Sequence, residues 1–165
     1  MKKPNPEKTG KGQESVWDYP RPPLLERTSK LIEVWFNNEC IARSNKCYRV
    51  LETSHPPQFY IPPSDVNKKF LLDSDLETHC EWKGKGRYYD LKAGGKWSEN
   101  AAWYYDDPTK EFEEIKNYLA FYAGRVDQCL VDKEVVVPQP GGFYGGWITD
   151  DVVGPFKGVD GSWGW

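Results

Sequence analysis

The sequence predicts a single, mainly β domain of antiparallel strands with one short α-helix, and three observations carry that prediction. Apolar and polar residues alternate in short runs, as at Ile32, Val34 and Phe36. Turn-forming pairs such as Asn37-Asn38 and Gly94-Gly95 punctuate the runs. Only "DDPTKEFEEIKNYLAFY", from Asp106 to Tyr122, departs from a period of two.

The elements follow in chain order. "MKKPNPEKTGKG" is rich in Pro, Lys and Gly, so residues 1–13 are expected to be a flexible tail, with residues 14–165 forming the domain. "WDYPRPP" reads as extended or polyproline-like chain lying on that domain. Ile32, Val34 and Phe36 then form one arm of a β-hairpin, Asn37-Asn38 its turn, and Cys40 onward the return arm. "KCYRVLE" and "DVNKKFLL" read as further strands. "THCEWKGKGRYYDL" reads as a strand softened by Gly84 and Gly86, and "LKAGGKWSENAAWYY" continues the meander. A cap at Asp107 or Thr109, followed by Phe112, Ile115 and Leu119 at helical spacing, predicts the helix, beginning near Thr109. "VDQCLVDKEVVV" supplies closing strands, and from Pro138 the chain is a tail rich in glycine and aromatics, whose rings need burial.

Composition excludes several function classes. A net charge of −3 with scattered lysines and arginines offers no basic stripe, so nucleic acid is not expected as a partner. The N-terminal stretch has no apolar run behind its charges, and no later run is long enough to span a bilayer, so a cytoplasmic protein without membrane contact is expected. Cys40, Cys47, Cys80 and Cys129 include no Cys-x-x-Cys pair, so neither a metal site, a disulfide framework nor a cofactor is expected. The oligomeric state is not legible. The aromatic share of 15%, with 8 Trp, is enough to line a pocket as well as fill a core.

The stretches "ESVWDYPRPP", "RVLETSHPPQFYIPPSDV", "CEWKGKGRYYDL", "FYAGRVD" and "PQPGGFYGGWITDDVVGPFKG" resemble domain-of-unknown-function family 427, over about Glu14 to Trp165. The resemblance implies a β-tent fold, two antiparallel sheets meeting at an angle, as in the thalidomide-binding domain of cereblon. Many β-tent proteins hold zinc through paired Cys-x-x-Cys motifs, which this chain lacks. The family is also filed loosely as nucleotidyltransferase-like. That chemistry pairs a Gly-Ser with a following acidic doublet, whereas Asp73 and Asp75 have no upstream Gly-Ser, so the label is not adopted.

The candidate site centres on "ETSHPP". Strand alternation puts Val50, Glu52 and Ser54 on one face and Arg49, Leu51 and Thr53 on the other. An inward Glu52 is either a general base or half of an ion pair with Lys83 or an arginine. Pro56-Pro57 fixes His55 at the strand exit, where a second base could sit. In "CEWKG", Cys80 and Trp82 share a face, with Lys83 opposite unless the coming glycine bends the strand. There Lys83 would stabilise an anion or favour the thiolate of Cys80. Tyr60, Trp82, Tyr88 and Trp103 are the candidate walls of an aromatic recess, and Arg49 is a further ligand-binding candidate. Three readings stay open. One is an enzyme acting on a small molecule through Glu52 or His55, one is a non-catalytic binding module, and one is a protein-interaction domain using Trp163 and Trp165.

Overall fold

The structure is a computed structural model and describes residues 3–165. Its strands are β1 (Glu14–Ser15), β2 (Leu24–Thr28), β3 (Ile32–Phe36), β4 (Glu39–Ser44), β5 (Cys47–Leu51), β6 (Gln58–Tyr60), β7 (Leu71–Cys80), β8 (Gly84–Ala93) and β9 (Lys96–Tyr104). Six shorter ones follow: β10 (Ala120–Phe121), β11 (Gln128–Val131), β12 (Glu134–Val135), β13 (Val137–Pro138), β14 (Trp147–Ile148) and β15 (Val152–Val153). They build two four-stranded antiparallel sheets, β10-β9-β8-β7 and β12-β11-β3-β4, and a three-stranded sheet, β2-β5-β6. Two short ribbons, β1-β15 and β13-β14, add to these. The fold is therefore mainly β and a single small domain, with three principal sheets where two were expected.

Local chemistry accounts for the hairpins. Asn37 and Asn38 take φ of 49° and 63°, the left-handed backbone that a two-residue turn of matching twist requires and that asparagine tolerates. Asp132 and Lys133 do the same between β11 and β12. The main core lies where the two larger sheets meet, with Val34, Ile41, Leu91 and Phe121 all buried. A second, aromatic core lies between β5-β6 and the far ends of β8 and β9, and includes Tyr48, Tyr60, Tyr88, Trp103 and Tyr105. The candidate residues gather at its edge.

Three local expectations need correction. The α-helix expected from Thr109 is a 3-10 helix, Lys110–Ile115, broken at Phe112 (φ −116°, ψ 18°). The would-be cap makes no capping hydrogen bond, and the Thr109 hydroxyl instead donates to the Trp82 carbonyl at 2.6 Å. Phe112 and Ile115 turn into the aromatic core, and Leu119 forms an extended bridge with Ile61. Tertiary pairing has thus overridden a helical period too short to hold by itself. In "DVNKKFLL" the strand begins only at Leu71, after a 3-10 turn at Lys68–Phe70. β5 ends at Leu51, and Ser54 takes a φ of 72°, so the alternation used to orient Glu52 stops one residue before it.

The segment set apart as a tail makes contacts with the C-terminal region. Glu7 and Gly154 exchange hydrogen bonds of 2.9 and 3.1 Å, and Gln13 Nε2 donates to the Asp150 carbonyl at 2.8 Å. Among the described residues no helix is long and apolar enough to cross a membrane.

Candidate functional site

The exit of β5, the β7–β8 turn, β9 and the C-terminal segment converge on one cavity of about 280 Å³. Of the residues singled out from sequence, Glu52, His55, Cys80, Trp82, Lys83, Tyr88 and Trp103 all line it. Arg49 and Tyr60 do not.

Glu52 stands at the mouth, its Oε2 3.2 Å from Arg21 Nη2 and 3.7 Å from His55 Nε2. Of the two partners the sequence offered, Lys83 or an arginine, the structure supplies an arginine, Arg21, from the proline-rich N-terminal segment. Arg21 is itself anchored by donating to the Thr53 carbonyl at 2.8 Å.

His55 is buried, and its tautomer is settled by a chain of hydrogen bonds. Gly146 N–H donates to Gln139 Oε1 at 3.0 Å, so the Gln139 amide must present Nε2 to its other neighbours. That nitrogen lies 3.0 Å from His55 Nδ1 and donates to the Lys157 carbonyl at 2.8 Å. An amide N–H needs an acceptor, so Nδ1 accepts and the proton sits on Nε2, on the Glu52 side. Burial, and then the positive charges of Lys157, Arg21 and Lys83, push the His55 pKa down to about 3. At neutral pH the ring is an N–H donor.

Lys83 is the least expected member. The three-residue turn Glu81–Lys83 between β7 and β8 closes through Gly84 at φ +105° and leaves the Lys83 side chain inside, with the residue 4% exposed. Its Nζ is 3.6 Å from Cys80 Sγ and lies 5.9 and 5.8 Å from the Tyr105 and Phe112 ring centres. No carboxylate comes within 4.0 Å of it among the described residues. Burial works against the charge, but Tyr60, Cys80 and Glu52 together hold the Lys83 pKa above the ordinary lysine range. The thiol and the ammonium, expected on opposite faces of a strand, meet because the turn intervenes.

The walls are aromatic. Trp103 is pinned by donating its Nε1–H to Tyr60 Oη at 3.1 Å, and Tyr60 in turn donates to Gln58 Oε1 at 3.1 Å. Tyr60 is fully buried, so it backs the wall and does not face the cavity. Tyr122 lies against Trp103 with ring centres 4.7 Å apart, and Tyr144 meets His55 edge-on at 5.1 Å. Beside Trp103 on the neighbouring strand, Tyr88 Oη and Thr78 Oγ1 share a hydrogen bond of 3.0 Å.

Arg49 belongs elsewhere. It is bonded to Glu26 at 2.6 Å and to both Glu14 oxygens at 2.9 and 3.1 Å, in a separate cleft where three of its five N–H donors are taken by carboxylates. Glu14 and Glu26 raise its pKa against the opposing effect of burial. Cys47 and Cys129 are buried, and burial pushes their thiols upward, Cys47 to about 12. Among the described residues no group of three or more His, Cys, Asp or Glu is placed to hold a metal ion.

Sequence reasoning missed Arg21, Tyr105, Tyr122, Gln139, Tyr144 and Lys157. Part of the signal was present in "PQPGGFYGGW": aromatics set between glycine pairs mark chain that runs close over another surface. Gly145 lies on Trp103, where an added Cβ would be 2.1 Å from Cη2.

A family model described as a domain of unknown function, DUF427, matches residues 24–132. The chain belongs to this family. No curated protein matches it. The DUF427 match takes in Glu52, His55, Cys80, Lys83 and Trp103, and ends before Gln139, Tyr144 and Lys157.

Proposed function

We propose that this DUF427 protein binds a small planar molecule with polar substituents in the cavity between Trp103, Trp82 and His55. The observation that carries the reading is a buried ammonium, Lys83, set among aromatic rings at an otherwise unfilled recess. A protein that needed these side chains only for packing would gain by filling the space and by replacing the charge with an apolar group. Aromatic walls with a few convergent polar groups suit a flat ligand, and the recess has room for one ring system and its substituents.

Binding without turnover is the function the geometry supports best. His55 has its Nδ1 occupied and cannot take a proton there, so the role of general base would fall to Glu52, whose carboxylate is shared with Arg21. The exposed tail does not favour a protein-interaction reading. Trp163 is exposed, but Trp165 packs edge-on against Trp17 with ring centres 5.5 Å apart.

The test is a thermal-shift screen of planar metabolite analogues against the wild type and Trp82→Ala. Trp82 is partly exposed in a turn, so the variant should melt close to the wild type while the shift given by any hit shrinks or vanishes. Hits that shift both proteins equally would place binding elsewhere, and a screen with no hits would remove the reading.

A further inference from the structure

The charge of the ligand follows from which donors in the cavity lack acceptors, an inference that rests on the binding reading above. Lys83 Nζ carries three N–H donors. One meets Cys80 Sγ, a weak acceptor, at 3.6 Å, and the two ring faces near 5.8 Å engage the charge without accepting a linear hydrogen bond. The remaining donors have no protein partner among the described residues, although Lys83 is 4% exposed. A buried ammonium left so incomplete is costly, and a ligand oxygen would complete it.

His55 supplies a second donor. With Nδ1 held by Gln139, Nε2–H is directed towards the Glu52 side of the same cavity, and at 3.7 Å that carboxylate is beyond a good hydrogen bond. Lys157 adds a second cation on the wall, its Nζ 5.6 Å from the Tyr144 ring centre. Against Lys83 and Lys157 stand Glu52, already paired to Arg21, and the exposed Glu81 at the rim. An aromatic recess in general accepts cations, but here a cation would be repelled by both lysines.

We infer that the ligand carries a carboxylate, or an equally compact planar anion, on its ring, seated on Lys83 with His55 Nε2–H as the second donor. Gln139 is then a positioning residue, because it keeps the imidazole proton on the side of the ligand. The anion meets preformed donors on Lys83 and His55, whose residues are 4% and 8% exposed, and such burial strengthens a charge-assisted hydrogen bond.

Benzoate, benzamide and benzylamine test this directly, since they share a ring and differ in charge. Binding is measured by quenching of tryptophan fluorescence, with calorimetry as a check. The wild type should bind benzoate about tenfold or more tighter than benzamide, and benzylamine weakest of the three. Lys83→Met should keep benzamide binding and lose the preference for benzoate. Benzamide or benzylamine binding as well as benzoate would overturn the anion inference while leaving the pocket intact. A preference that survives Lys83→Met would overturn the assignment to Lys83. No binding of any probe at millimolar concentration would remove the inference and the pocket together. The wild-type comparison decides the charge question even if the variant does not fold.

Discussion

Replacing Gly145 by alanine should damage both stability and the pocket, and the size of the effect can be worked from the structure. The new Cβ would stand 2.1 Å from Trp103 Cη2 and 2.7 Å from Cζ3, against an ordinary carbon contact of about 3.5–4.0 Å. One side must therefore move by more than about 1 Å. Trp103 cannot yield cheaply, because it is 5% exposed and held by its hydrogen bond to Tyr60. The backbone is no freer: Gly146 N–H is bonded to Gln139 Oε1 at 3.0 Å and Trp147 N–H to the Pro57 carbonyl at 2.8 Å. Overpacking costs about 1–3 kcal/mol, and loss of the Trp103 hydrogen bond adds about 1, for a total near 2–4 kcal/mol. In a domain of this size that lowers Tm by about 5–15 °C. Urea unfolding of wild type and variant gives the difference. Gly95→Ala is the control, since nothing lies within 4 Å of its added Cβ, and it should change stability by less than about 0.5 kcal/mol. A loss below about 1 kcal/mol in Gly145→Ala, with benzoate binding unchanged, would show that the C-terminal segment is not a rigid wall of the site.

Other outcomes follow from the same geometry. The His55 pKa is pushed down to about 3 in the fold, so below an ordinary value near 6.5 the unfolded chain takes up a proton that the native state refuses. Stability from this group is intact at pH 7 and falls as the pH drops, by about 2–3 kcal/mol at pH 4.5. His55→Asn should flatten that part of the profile, and imidazole NMR should show the Nε2–H form down to pH 4; an imidazolium forming near pH 6 would refute the burial argument. Arg49→Met should cost about 1–3 kcal/mol by leaving Glu14 and Glu26 without their shared partner, yet leave benzoate affinity unchanged, because Arg49 lies in a different cleft. Native-state alkylation read by mass spectrometry should spare the buried Cys47 and Cys129 and modify Cys80, and benzoate should protect Cys80 but not Cys40. Equal protection of Cys40 would place the probe outside the cavity.

The sequence by itself determined the class of fold and pointed to several residues that share one cavity. Alternation at Ile32, Val34 and Phe36 and the paired asparagines after them specify a hairpin through local sterics alone, and the structure contains it. Glu52, His55, Cys80, Trp82 and Lys83 were identified from residue type and their place at a strand exit or glycine-rich turn, and they do line one cavity. Roles were a different matter, because a role depends on partners far away in the chain. Only tertiary structure decided that Glu52 is met by Arg21, 31 positions earlier, and that Gln139, 84 positions after His55, determines which imidazole nitrogen holds the proton. Only tertiary structure, too, turned the helical spacing of Phe112, Ile115 and Leu119 into a broken 3-10 turn and a bridge to Ile61. Backbone preference acts over a few residues and is readable from neighbours, whereas desolvation and hydrogen-bond pairing act on whatever the folded chain brings within a few ångströms.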